Sequence, residues 1–252
     1  MGLIDFQTVL GRMLREQNRD DHLRGVSLDE GESRYFENLR DTAELRFYAS
    51  VQRSWCIARA TKAAHLTLSL LSPEEREQLL DEWVDSGAGV QSFYAVEAES
   101  FLDFIGKHLS DRPREFTVCQ FERATLRAGN GANVFVAPDP AALQRTDSYV
   151  RRGSYAALVR FEANPDEQDA IQKQEPLADL FSAGLIVMFS PGLSQLWHEP
   201  SPEEADLWDA LDHPTPVRTL LSRGYSIETF ERLLGQGTIE YTDEDPVEEI
   251  TN

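Results

Sequence analysis

Apolar residues recur at helical spacing through the first half of the chain. Phe6, Val9, Leu10, Met13 and Leu14 mark an amphipathic helix over 4–17. After a polar stretch from Asn18 to Gly31, a second helical pattern runs from about Ser33 to Leu71 without Gly or Pro, long for one globular helix. Ser72-Pro73-Glu74-Glu75 then supplies an N-cap serine, a proline at the first helical position and a reciprocal glutamate. It predicts a helix over 73–85 with Leu79, Leu80 and Trp83 inward, ended by Gly87-Ala88-Gly89. A further helix from Phe93 to Leu109 aligns Tyr94, Ala98, Phe101, Leu102, Ile105 and Leu109. The next, from Pro113 to Ala128, aligns Phe116, Cys119, Arg123 and Leu126, with Gly129 as its C-terminal cap. Short connections predict an antiparallel bundle.

The pattern changes after Gly129-Asn130-Gly131. Asn133 to Val136, Tyr155 to Phe161 and Leu185 to Phe189 read as strands. Leu193 to His198 is expected to pair with the last of these across Ser190-Pro191-Gly192. Ser201-Pro202-Glu203-Glu204 repeats the capping pattern of Ser72, and three helices follow at about 202–211, 215–223 and 226–235. Leu220, Leu221, Phe230, Leu233 and Leu234 form their apolar faces, Ser226 caps the third, and Ile239-Glu240-Tyr241 gives a last short strand. Helix, tight turn, helix and strand make a winged-helix or helix-turn-helix outline. The fold expected is α+β: a helical domain over 1–130, a small sheet plus three-helix winged-helix-like domain over 131–242, and an acidic tail over 243–252.

Charge sharpens this division. The 252 residues carry 44 acids against 24 Lys and Arg, a formal charge of -20. Residues 1–130 contribute a net -6 and residues 131–252 a net -14. Yet no acid occurs between Glu44 and Glu74, where Arg46, Arg53, Arg59, Lys62 and His65 stand among Phe47, Tyr48 and Trp55. Such a segment either packs on the protein's own carboxylates or is offered to a partner, and Arg46, Arg53, Trp55 and Arg59 are its candidate interface residues. Arg46 and Arg53 share a face, while Arg59 and Lys62 lie toward the opposite side. No run approaches the ~18 apolar residues needed to cross a membrane, and no secretory signal pattern opens the chain. Cys56 and Cys119 sit in helical patterns and are expected to be buried thiols in a reducing cytoplasm.

Chemistry-bearing motifs are sparse. There is no His-Glu-x-x-His, no Glu-x-x-His pair, no Cys-x-x-Cys and no P-loop. The histidines, at 22, 65, 108, 198 and 213, share no metal-ligand spacing, and His108-x-x-Asp111 stands isolated. Gly87-x-Gly89 and Gly235-x-Gly237 read as turns. No metal or cofactor ligand set is assigned to the chain. Nucleic acid is disfavoured, because phosphate contacts need cations and the third helix, Ser226 to Gly235, has two acids and one base. The same outline suits peptide capture, with a sheet edge accepting an added strand and an adjacent groove taking its side chains.

Several segments of the first half together carry a resemblance. They are Arg53-Ser54-Trp55-Cys56, Lys62-Ala63-Ala64, Leu79 to Val84, Gly87-Ala88-Gly89, Glu97 to Ile105 and Cys119 to Ala124. In this order the chain, over about 45–130, resembles the partner-subunit family of methanobactin biosynthesis (MbnC-like), with the TglI-type subunits of 3-thiaglutamate biosynthesis. The resemblance implies a heterodimer with a larger barrel enzyme that binds several irons, the pair oxidising a cysteine of a ribosomally made peptide with dioxygen. It implies iron in the partner, and in this chain an accessory role: binding the precursor or scaffold peptide and completing the active complex. The 3-thiaglutamate branch, which excises a carbon from a C-terminal cysteine, is favoured by the length of the chain; oxazolone and thioamide formation is the methanobactin alternative. For the peptide site the strand Leu185, Ile186, Val187, Met188 and Phe189 and the groove beside Phe230 and Leu233 are the candidates, against the plainer reading of core strand and core helix. A stand-alone winged-helix regulator and an independent helical enzyme are the rival functions.

Overall fold

A computed structural model describes residues 3–15, 25–88, 94–138, 148–162 and 177–242. Contacts divide the chain into two compact units, Met1–Ser110 and Asp111–Asn252. The composition shift falls at Gly129–Gly131, whereas the division by contact lies before the helix that ends there. The fold class is α+β, with two small antiparallel sheets.

The first unit is helical: α1 Leu3–Arg15, α2 Glu30–Arg40, α3 Ala43–Ala63, α4 His65–Ser69, α5 Pro73–Asp85 and α6 Tyr94–His108. Helix α3 is its axis and packs on all five others. The uninterrupted pattern read from Ser33 to Leu71 is in fact three helices. Asp29 forms a capping box with Glu32 and starts α2 early. Thr42 breaks the run: its hydroxyl donates to the Leu39 carbonyl and accepts from the Leu45 amide, so it ends one helix and caps the next. Side-chain bonding of this kind competes with the helical ladder. Ala64, at φ -123 and ψ 38, turns the chain into α4. At Ser72 the predicted capping box and N-terminal proline are present, and α5 has the expected bounds. Trp83 lies edge-on to Phe101, ring centroids 5.0 Å apart, with Leu80, Leu102 and Ile105 buried nearby in the same helices. Val9, Met13, Phe36 and Leu45 form a second cluster with α1 and α2.

The second unit begins with α7 Pro113–Ala132 and continues β1 Tyr149–Arg152, β2 Ala157–Arg160, α8 Ala178–Ala183, β3 Ile186–Phe189, β4 Trp197–His198, α9 Pro202–Asp209, β5 Thr215–Pro216, α10 Val217–Ser222, α11 Ile227–Gln236 and β6 Ile239–Thr242. Gly129 does not cap α7, which runs through it to Ala132. Gly131 is needed for space instead: a Cβ there would meet the Tyr155 side chain at 2.5 Å. Asn133 to Val136 is not a strand; the chain turns off the helix, with the Val134 and Phe135 amides bonded to the Gly131 carbonyl. The hairpin across Ser190-Pro191-Gly192 is present, pairing Met188 with His198 and Phe189 with Trp197. Strand β3 lies between β2 and β4. Two strands are unexpected: β5, at the start of the segment expected to be a helix over 215–223, and β1, which lies between β5 and β6 in the other sheet. Phe121, Phe161, Phe181 and Phe189 meet edge to face between α7, α8 and the β2–β3 pair. Met188, Leu207, Leu220, Phe230, Leu233 and Ile239 share a second core. Among the described residues no helix is long and apolar enough to cross a membrane.

Candidate functional site

The second unit holds a trough beside β6. This strand pairs with β1 along one side, with Val150 opposite Tyr241, and has no strand on its other side among the described residues. Next to it lies a cavity of about 260 Å³ lined chiefly by apolar groups: Phe135, Val136 and Pro138 after α7, Tyr155, Leu234 of α11, and Ile239 and Tyr241 of β6.

The local sequence explains its shape. Ser226 caps α11, its hydroxyl accepting from the Thr229 amide. Gly237 ends the helix in the left-handed region, at φ 73, and delivers the chain directly into β6. The Gly192 amide donates to the Gln236 carbonyl at 2.8 Å and ties the hairpin turn to this corner. The Phe135 ring rests on both glycines; a Cβ at Gly192 or Gly237 would stand 2.7 or 2.6 Å from it. Glu240 also lines the cavity, together with Ser154. Its carboxylate accepts from Arg151 Nε at 2.9 Å, from the Ser154 hydroxyl at 2.8 Å and from the Ser154 amide at 3.2 Å.

The peptide-site candidates read from sequence lie elsewhere. Leu185 and Ile186 are half-buried, and Val187, Met188 and Phe189 are buried. Strand β3 is central rather than an edge, since apolar side chains on both its faces and neighbours on both its sides fit an inner position. Phe230 and Leu233 pack with Met188 in the core. Val187, Met188, Phe189, Phe230 and Leu233 fill the interior, and neither they nor Leu185 and Ile186 line the trough, which takes Leu234 from the same helix and β6 from the strand beyond. The trough is assembled from several separate segments, and no one of them carries a signal for it in sequence.

The interface candidates separate into two kinds. Arg46 and Trp55 are exposed on α3. Arg53 is turned inward, with its guanidinium 2.5 Å from Asp81 and 2.6 Å from Asp85 on α5. Arg59 lies 2.7 Å from the carboxylate of Glu97, although the approach is off a hydrogen-bonding angle. Glu97 is only 1% exposed, and burial pushes its pKa up while Arg59 pulls it back. Arg59 and Lys62 also lie over the Tyr94 ring, at 5.8 and 5.5 Å.

Polar clusters elsewhere do structural work. Glu204 accepts from the Ser201 amide in the capping box of α9 and also meets Arg232 at 3.1 Å and His198 at 3.5 Å. His108 stands 2.9 Å from the Phe104 carbonyl and 3.5 Å from Glu82. Cys56 and Cys119 are buried, unlinked thiols. Among the described residues no three His, Cys, Asp or Glu side chains are grouped to hold a metal ion. No protein-family model matches the chain, and no curated protein matches it significantly.

Proposed function

We propose that this chain is the accessory, peptide-binding subunit of a two-subunit iron-dependent oxygenase that modifies a cysteine of a ribosomally made peptide. The irons belong to a larger barrel subunit, and the pair works in the cytoplasm. The reaction is of the 3-thiaglutamate type, excising a carbon from a C-terminal cysteine. The observation that carries this reading is the edge strand β6, beside which no further strand lies among the described residues, next to an apolar trough and following a helix, strand, helix, turn and helix in the order α9, β5, α10, α11. That order supports a winged-helix-type peptide recognition element. An extended peptide added to β6 gains main-chain hydrogen bonds, and one of its alternate side chains enters the trough. The ordered segments of the first half support the wider assignment. A stand-alone DNA regulator fits worse, because Glu228 and Glu231 stand exposed on α11 in a chain of net charge -20.

Co-expression with the barrel subunit should yield a heterodimer that converts a Cys-terminated scaffold peptide with a mass change matching loss of one carbon. Oxazolone and thioamide formation would move the assignment to the methanobactin type. Separate elution of the two chains, with the barrel subunit fully active alone, would sink the proposal. Within the complex, Val136→Asp places a charge at the trough's exposed lip. It should weaken peptide binding by about tenfold in fluorescence anisotropy while leaving the heterodimer intact.

A further inference from the structure

Helix α3 carries an aromatic stripe on the side facing away from its own core. At 3.6 residues per turn, Phe47, Tyr48, Val51, Trp55 and Ala58 fall on one side of the helix. The buried residues Leu45, Ala49, Cys56 and Ala60 fall on the other. The stripe is not half-hidden: Phe47 is 65% exposed, Tyr48 63% and Trp55 65%, with Val51 at 38%. Phe47 and Tyr48 meet edge to face, 5.9 Å between centroids, and form one surface. Nothing in the helix's own packing requires aromatics here, since the opposite side anchors it.

The size of the patch is that of an interface core. Large aromatics contribute about 150–250 Å² each when covered. Three of them, mostly exposed, with Val51, offer roughly 450 Å², over half of the ~800 Å² per side of a standard interface. Trp and Tyr are also the residue types that dominate binding energy at such sites. The surroundings state the occupant's charge. Glu44 begins the helix on the stripe's side, and no acid follows until Glu74. Lys62 is exposed on the stripe's side at its far end, and His65 is exposed beyond it, whereas Arg46 lies on the opposite side beside Asp41. A second copy of this chain would bring the same cations together and add a second charge of -20. A different protein with an apolar centre and an acidic rim meets both conditions.

We infer that the outward face of α3 is the docking surface for the barrel subunit. This rests on the function proposed above and adds the place of contact. Arg53 and Arg59 act from within: they fix α3 to α5 and α6 and hold the stripe outward.

The double variant Phe47→Ser, Trp55→Ser tests it, with binding to the barrel subunit measured by interferometry. Binding at least ~30-fold weaker, with an unchanged thermal midpoint, is the expected result. Lys62→Glu, at the stripe's far end, should lower the association rate at low salt and flatten its salt dependence. Wild-type affinity in the double variant would overturn the inference and leave the proposed function standing. Failure of the wild-type chain to bind the barrel subunit would overturn both. Sedimentation equilibrium of the wild-type chain alone should give a monomer; a dimer abolished by the double variant would assign the face to a second copy and overturn the inference.

Discussion

Arg53 and Glu97 show how single groups in the cationic segment are used. Arg53 spans two carboxylates a helical turn apart on α5, Asp81 and Asp85. Burial alone would lower its pKa, but the hydrogen bonds to the two carboxylates raise it on balance, so it stays charged. Arg53→Met should cost about 2 kcal/mol in urea denaturation, because two half-buried carboxylates lose their cation. Glu97 has the opposite balance. Its folded pKa lies above the ordinary 4.5, because burial outweighs the attraction of Arg59. Its contribution to stability is therefore full below 4.5 and is lost as pH rises through the raised value. Glu97→Gln removes that dependence. Its stability relative to wild type should rise between acidic and neutral pH in paired denaturation curves; a constant difference would contradict the assignment. The sequence showed the cations but could not say which were used internally. That depends on Asp81, Asp85 and Glu97, which lie 28, 32 and 38 positions from their arginines.

At the scale of elements, caps were legible and packing was not. Ser72-Pro73-Glu74-Glu75 and Ser201-Pro202-Glu203-Glu204 both start helices as read, because the cap chemistry is contained within four residues. Thr42 gives no such signal, because one threonine within a helical run lacks that context. Gly131 falls in the cluster where the pattern changes, and sequence does not distinguish a glycine used for a turn from one used for close approach. Strand β1 is hidden in the sequence because Arg151 and Arg152 mask its pattern; both point to carboxylates, Glu240 and Asp212. Two predictions belong here. Gly153 sits where β1 leaves β6, and a Cβ would overlap the Gly237 carbonyl oxygen, a backbone atom that cannot swing aside. Gly153→Ala should cost about 3 kcal/mol by chemical denaturation. Glu203 links two helix starts: its carboxylate accepts from the Ser226 amide at 2.7 Å and the Thr229 hydroxyl at 2.9 Å. The Ser226 amide, then Thr229, holds its pKa below 4.5. This stabilisation is present above 4.5 and is lost as pH falls through the lowered value. Glu203→Gln should be less stable than wild type at neutral pH, and the gap should close in acid.

For the whole molecule, charge separates the possible partners. With a net charge of -20 the chain should leave the anisotropy of a labelled DNA duplex unchanged at physiological salt, even at micromolar protein. Binding there would favour the regulator and count against the peptide-modifying complex. The α+β class and most helices were readable from periodicity, because each helix records its buried face in its own residues. The trough was not, because it joins the chain after α7, the β1–β2 turn, the turn after β3 and the α11–β6 corner. Its floor has a further consequence. The Phe135 ring occupies space that two glycines leave vacant, and it comes from irregular chain outside the sheets. The bore of the trough is thus set by one replaceable insert, seated in a mould of bare backbone. Recutting position 135 can change the size of side chain admitted without redesigning the strand that receives it, whereas filling either glycine would eject the insert.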